Sequence, residues 1–282
     1  MMLRMATKIL IAVTIFLIIF LSFVPIYWTF VTSISLDRDL ALTTSHWFPP
    51  SPTLKNYVEI LTSPIRGVAY EFRRALVNST IIASLTTVLT LFLASFAAYS
   101  VERLKVPFRK TISYLVVLTQ MLPPIILVIP IYLLFGRMGL LNHKMSLVII
   151  YTALNLPFAI WILSSYFGRL PVSVEEAAII DGCGYFDVLW RIVLPLSKPA
   201  LFTGGIFVFL AAWNEFLIAL VLTTDLKAKT LPVAIAEFMG RFRTSYPLMC
   251  SAGIISMIPP IIFVVLFQRY LIEGLTKGAV KE

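Results

Sequence analysis

Five stretches of this chain carry no Asp, Glu, Lys or Arg and are each long enough to cross a bilayer as a helix: 9–31, 75–101, 111–136, 145–168 and 244–268. A hydrocarbon core of about 30 Å needs about 20 apolar residues at helical rise. A sixth stretch, 199–224, contains one charge, Glu215. Only 13% of the residues are charged and 59% are hydrophobic. A soluble domain carries about 25% charged residues, so this chain lacks the polar surface to face water. A soluble globular protein, a disordered chain and a secreted disulfide scaffold are excluded. The expectation is an all-α polytopic membrane protein: six transmembrane helices in a single domain.

The formal charge of +9 comes from 23 Lys and Arg against 14 Asp and Glu. The basic residues sit in short connections between apolar runs, which suits topology and headgroup contact rather than nucleic acid. Six spans put both ends on one side. Lys and Arg then divide almost evenly between the two sides, so the positive-inside rule barely votes. Arg103, Lys105, Arg109 and Lys110, in the 102–110 connection, give the one clear inward signal. Arg4 and Lys8 precede the first run, which is too long for a signal peptide and lacks an A-x-A site, so a retained anchor is expected. Tyr27 and Trp28 near its far end suit the interfacial belt. Cys183 and Cys250 fall on opposite sides in this topology and cannot bridge. His46 and His143 lie in loops, and no cluster suggests a metal.

The connection 169–198 carries the most pattern. Ser173 and Glu176 have capping-box spacing, which predicts a helix start. Gly182 supplies a stop. After Gly184, Tyr185, Val188, Leu189 and Ile192 recur at helical spacing. Pro195 and Pro199 end that pattern. The reading is two short helices joined by a glycine turn at the membrane surface. Two roles stand open: an interfacial pair packed on its own bundle, or a docking element. For docking, Ala177 and Ala178 offer a small-residue surface, and Glu175 and Asp181 could meet basic groups of a partner.

Glu176-Ala177-Ala178, then Gly182, then Ile192-x-Leu194-Pro195 resembles the EAA loop of permease subunits of binding-protein-dependent ABC importers. Further segments resemble the carbohydrate-uptake branch, the maltose-type second permease. They are Ala211-Ala212-Trp213-Asn214-Glu215-Phe216, Leu156-Pro157-Phe158-Ala159-Ile160-Trp161 and Gly274-Leu275-Thr276-Lys277-Gly278-Ala279-Val280-Lys281, with Asn56-Tyr57 and Pro130-Ile131-Tyr132. Cys183 and Lys277 stand where small residues are usual. The resemblance implies a MetI-like permease fold and a sugar importer's membrane subunit in the cell (inner) membrane. It implies that 169–198 is a cytoplasmic coupling loop, with both termini on that side. The ATPase-coupling residues would be Glu175, Glu176, Ala177, Ala178, Asp181, Gly182, Ile192, Leu194 and Pro195. The implied partners are a homologous permease, an ATPase homodimer, an extracytoplasmic solute-binding protein and the sugar. The outer segment 225–243, interrupted by Pro232 and Gly240, resembles the loop that reaches toward the binding protein.

No GxxxxGK[ST] stretch occurs, so ATP and Mg belong to a partner and this chain is not expected to be an enzyme or to hold a cofactor. Glu215 lies about 15 residues into its run, about 22 Å at helical rise. It reads either as a cap or interhelical bond, or as a solute contact beside Asn214. Pro123-Pro124, Pro157 and Pro259-Pro260 free backbone carbonyls at depth, with Gln120 and Asn155 near the first two sites. Such positions mark transport pathways or plain kinks. Tyr132 and Trp161 would suit sugar ring faces. The substrate-pathway set is thus Gln120, Tyr132, Asn155, Trp161, Asn214 and Glu215. Glycerol phosphate is an alternative solute, although no Arg or Lys lies in runs three to six to meet a phosphate. An ATP-independent transporter is a further alternative.

Overall fold

The computed structural model describes residues 2–40, 47–63, 67–104, 107, 109–239 and 245–279. His46, Lys105, residues 240–244 and Val280-Lys281 lie outside them. Among the described residues every regular element is helical. In chain order they are α1 (Met2–Ser33), α2 (Asp37–Leu40), α3 (Lys55–Thr62), α4 (Val68–Arg103), α5 (Arg109–Thr119), α6 (Pro124–Arg137) and α7 (Lys144–Phe167). Then come α8 (Val172–Ile180), α9 (Tyr185–Val188), a π turn (Leu189–Val193), α10 (Leu194–Leu196), α11 (Lys198–Asn214) and α12 (Leu217–Leu222). The chain closes with α13 (Leu231–Ala236), a 3-10 turn (Glu237–Met239) and α14 (Tyr246–Ala279).

The all-α membrane reading holds. Four stretches are single helices long and apolar enough to cross a bilayer: Thr7–Ser33, Ala69–Arg103, Lys144–Phe167 and Tyr246–Tyr270. Hydroxyls such as those of Thr14 and Thr87 bond back to their own helix, to the Leu10 carbonyl at 2.9 Å and the Ala83 carbonyl at 2.7 Å. That satisfies them without a partner in lipid.

The other two runs are split. In 111–136, α5 stops at Thr119 and α6 restarts at Pro124, with Pro123 extended at φ −62°, ψ 125°. Two adjacent prolines remove two backbone donors and push the preceding residues out of the helical region. In 199–224, α11 stops at Asn214 and α12 restarts at Leu217. Pro157 and Pro259-Pro260, expected as possible breaks, instead lie inside the continuous helices α7 and α14.

The chain divides into two compact units. The first comprises Met1–Arg73 and Ala234–Ile258. In it the end of α1 is pinned by polar bonds. Asn56 Nδ2 donates to the Ser33 and Ser35 carbonyls at 2.9 and 3.1 Å, Ser251 Oγ donates to the Ser33 carbonyl at 3.0 Å, and the Ser33 and Tyr57 hydroxyls are 2.6 Å apart. The second unit comprises Arg74–Val233 and Pro259–Glu282. Here α11 packs on α4 at Gly205, where an added Cβ would sit 3.3 Å from Leu91 Cδ1. Aromatic rings of α11 and α14 stack, Phe202 on Phe267 and Phe209 on Phe263, with centroids 4.6 and 4.3 Å apart. A core of Ala94, Ala98, Tyr99, Ala159, Leu163 and Phe167 extends into the connection 169–198 through Val188, Leu189 and Val193.

Candidate functional site

The connection 169–198 forms the two predicted helical pieces, with local differences. The Ser173–Glu176 capping box does not form. Pro171, extended at φ −63°, ψ 121°, occupies the cap position, so Val172 starts α8 and Ser173 already lies within it. At the other end Gly182 acts as expected. Its φ of +91° lies in the left-handed region that favours glycine. The Gly182 N–H bonds the Ile179 carbonyl at 3.0 Å, and the Cys183 N–H bonds the Ala178 carbonyl at 2.9 Å. That is the Schellman pairing, which satisfies two orphan carbonyls.

The second piece turns differently from the predicted stripe. Val188, Leu189 and Val193 are buried, Ile192 is half-buried and Tyr185 is exposed. The π turn at Leu189–Val193 takes up an extra residue and rotates the residues beyond it. Leu194 is half-buried and Pro195 exposed. Pro195 does not end the helical piece; it sits in the first turn of α10.

Of the residues expected to dock a partner, Glu176, Ala177, Asp181 and Gly182 are exposed and Ala178 is half-buried. Glu175 is not available to a partner. It is 4% exposed and pairs with Arg103, whose Nε donates to Glu175 Oε1 at 2.7 Å. Beside the exposed acidic residues stand apolar ones that pattern reading passed over: Val172, Val174, Ile179 and Ile180, the last 84% exposed. One face of the loop is thus fixed to its own bundle, and the opposite face is a mixed apolar and acidic surface left exposed by the described residues.

Within the bundle, Glu215 explains the split of 199–224. Its backbone is extended at φ −68°, ψ 125°. The carboxylate turns forward to accept the N–H groups of Ile218 at 2.8 Å and Ala219 at 3.1 Å. The first N–H groups of a helix lack intrahelical partners, and a carboxylate there also meets the positive end of the helix dipole. Tyr151, 1% exposed on α7, donates its hydroxyl to Glu215 Oε2 at 2.5 Å. The cap and the interhelical bond left open by the sequence are both present.

Gln120 Nε2 donates to the Leu154 carbonyl at 3.0 Å, one turn before Pro157. Asn155 Nδ2 donates to the Tyr151 carbonyl at 2.8 Å, and exposed Asn214 Nδ2 to Leu210 at 2.9 Å. Gln120, Asn155, Asn214 and Glu215 therefore group about the middle of α7 and the end of α11. Tyr132 and Trp161 are exposed, and among the described residues no hydrogen bond joins them to this group. Trp161 lies ten residues beyond Tyr151, about 15 Å along α7.

Asn142 gave no sequence signal. At φ 62° it sits in the turn between α6 and α7, and its Oδ1 accepts the N–H groups of Thr224 and Asp225 at 2.7 and 2.9 Å. In the segment beyond, Asn78 Nδ2 holds the Leu226 and Lys229 carbonyls at 3.1 and 2.9 Å. Pro232, expected to interrupt helix, instead sits in the first turn of α13, where its missing N–H costs nothing. Cys183 and Cys250 are free.

A family profile described as "Binding-protein-dependent transport system inner membrane component" matches residues 87–277. The chain belongs to this family. The permease is 41% identical over 258 residues to the trehalose/maltose transport system permease protein MalG of Thermococcus litoralis, covering 91% of each chain. It is 36% identical over 267 residues to the trehalose transport system permease protein SugB of Mycobacterium tuberculosis, covering 94% of each. To the sulfoquinovosyl glycerol transport system permease protein SmoH of Agrobacterium fabrum it is 34% identical, covering 91% of this chain and 88% of that one. A solved bacterial ABC transporter involved in the import of the acidic polysaccharide alginate shares the fold, with TM-score 0.79 at 22% identity over 94% and 96% of the two chains. A second, a bacterial alginate ABC transporter in complex with an alginate pentasaccharide-bound periplasmic protein, matches at TM-score 0.68 and 14% identity over 94% of each chain. The permease therefore has the MetI-like fold.

Proposed function

We propose that this permease is one of two membrane subunits of an ABC importer for a sugar of the oligosaccharide or disaccharide class. Its partners are a homologous permease, a cytoplasmic ATPase homodimer that binds ATP and Mg and performs the hydrolysis, and an extracytoplasmic solute-binding protein. The relatives named for trehalose, maltose and sulfoquinovosyl glycerol support the solute class. The observation that carries the coupling role is the outward face of α8. Ile180 stands 84% exposed beside Glu176, Ala177, Asp181 and Gly182, on an element whose other side is fixed to the bundle. An apolar residue held out on a short anchored helix fits the cleft of another protein. Ile192, Leu194 and Pro195, in the second half of the loop, complete the coupling set. Both termini lie on the ATPase side.

In this reading ATP binding closes the ATPase pair, and α8 carries the movement into the spans. The permease pair then switches between inward-facing and outward-facing forms. The ATPase must contact the two forms differently, because a partner that binds both equally shifts nothing. Gln120, Asn155, Asn214 and Glu215, with Tyr132 and Trp161, offer amides, a carboxylate and ring faces to a polar solute.

The test is assembly and uptake. Gly182→Asp forces a β-carbon into the left-handed region, and Glu176→Lys reverses a charge on the docking face. Both should release the ATPase from purified complexes and abolish labelled-disaccharide uptake, with the bundle still inserted. Unchanged co-purification and uptake in both variants would refute docking.

A further inference from the structure

α8 has one buried residue, and that residue is a charge. Among Val172–Ile180 only Glu175 is buried. The helix is separated from α9 by a glycine turn with open space around it: a Cβ at Gly182 or Gly184 would meet nothing within 4 Å. The apolar packing of Val188, Leu189 and Val193 fixes the second half of the loop, while α8 and the turn after it reach that core through half-buried Ala178 and Cys183. What chiefly fastens the first half is Arg103, the last residue of α4, with the Tyr99 hydroxyl of the same helix also bonded to Glu175. Arg103 Nε donates to Glu175 Oε1 at 2.7 Å. One Nη donates to the carbonyls of Phe167 at 2.7 Å and Leu170 at 3.0 Å, at and just beyond the end of α7. The two side chains are 11% and 6% exposed. A rigid planar fork serves three acceptors on two elements, which a lysine's single ammonium cannot reproduce.

We propose that Arg103 is a positioning residue for energy coupling. It fastens α8 to the ends of α4 and α7, so the docking face moves as one body with the second and fourth spans. This rests on the reading of α8 as the ATPase-docking element. Arg103 touches neither nucleotide nor solute; it sets the stiffness of the joint through which force passes. Without it, α8 would pivot on the Gly182 turn and absorb the movement. Glu175 is the inner anchor of the docking helix rather than part of its contact face.

Two measurements test this on the whole importer in proteoliposomes. The first is sugar moved per ATP hydrolysed. Arg103→Gln and Glu175→Gln should keep the ATPase bound but lower that ratio about fivefold, with Arg103→Lys intermediate. A merely structural role would lower uptake and hydrolysis together and leave the ratio unchanged, which overturns the proposal. The second measurement does not depend on how those variants fold. Spin labels at Ser173→Cys and Val88→Cys, both exposed positions outside the docking set, are placed in a Cys183→Ser, Cys250→Ser background with Arg103 intact. The proposal requires one narrow distance that is the same with and without ATP. A distance that changes with nucleotide overturns it. Failure of the underlying docking reading looks different, because Glu176→Lys and Gly182→Asp would then leave the ATPase attached.

Discussion

The two broken spans of the permease are broken by opposite means. Between α5 and α6 the chain loses donors: Pro123 and Pro124 have no N–H, and the helix stops where its ladder lacks them. Between α11 and α12 every residue could continue a helix, and the chain gains an acceptor instead. Glu215 folds forward onto the Ile218 and Ala219 N–H groups and is held by the Tyr151 hydroxyl. The first break has a local covalent contribution, but the same proline pair at Pro259-Pro260 leaves α14 continuous, so the lost donors do not force a break by themselves. The second depends on a side chain of another helix, so it is tied to how α7 and α11 are packed. A helix interruption in a membrane protein can thus be marked by missing donors or held by a side-chain latch, and the latched kind is tied directly to the packing of the bundle.

Substitutions at the latch should separate the two cases, ranked by expected loss in reversible unfolding of the permease in mixed micelles. Glu215→Leu strands two backbone donors and the buried Tyr151 hydroxyl, and should cost about 3 kcal/mol; a loss under about 1 kcal/mol would show that packing alone holds the break. Asn142→Ala removes the acceptor for Thr224 and Asp225 just past the end of α12, and should cost about 2 kcal/mol. Tyr151→Phe leaves Glu215 with its two backbone donors and should cost about 1 kcal/mol. Gln120→Leu, beside the proline break, removes one exposed interhelical bond and should cost about 0.6 kcal/mol. If Gln120→Leu proves as costly as Glu215→Leu, the distinction between the two breaks is wrong.

Much of the architecture was legible because the bilayer imposes a simple length rule. Four of the six runs are single helices long enough to cross a bilayer and two are split, with Pro123-Pro124 marking a true interruption. Pro157 did not break its helix, and the Gln120 bond to Leu154 shows one way in which neighbouring backbone is satisfied from another helix. What stayed hidden was pairing at long range. Arg103 read as a topology signal and Glu175 as a docking charge, because nothing in the pattern joins positions 72 residues apart. Tyr151 gave no signal either: one tyrosine in an apolar run looks like its neighbours until Glu215 is placed beside it. Gly182 was readable, since a glycine just past a short helix has a backbone reason to be there. The phase of the second helix was not, because a π turn changes which residues share a face without changing their composition.

Ser197, buried between α10 and α11, lies at a bend of 79° between Tyr185–Leu196 and Lys198–Asn214. The two arms are rigid rods set almost square to one another, like the throw and shaft of a crank. Travel of the short arm along its own axis reaches the long arm as a sideways push, at the end opposite the Glu215 latch. A small displacement there is magnified with distance from whatever point the rod turns about.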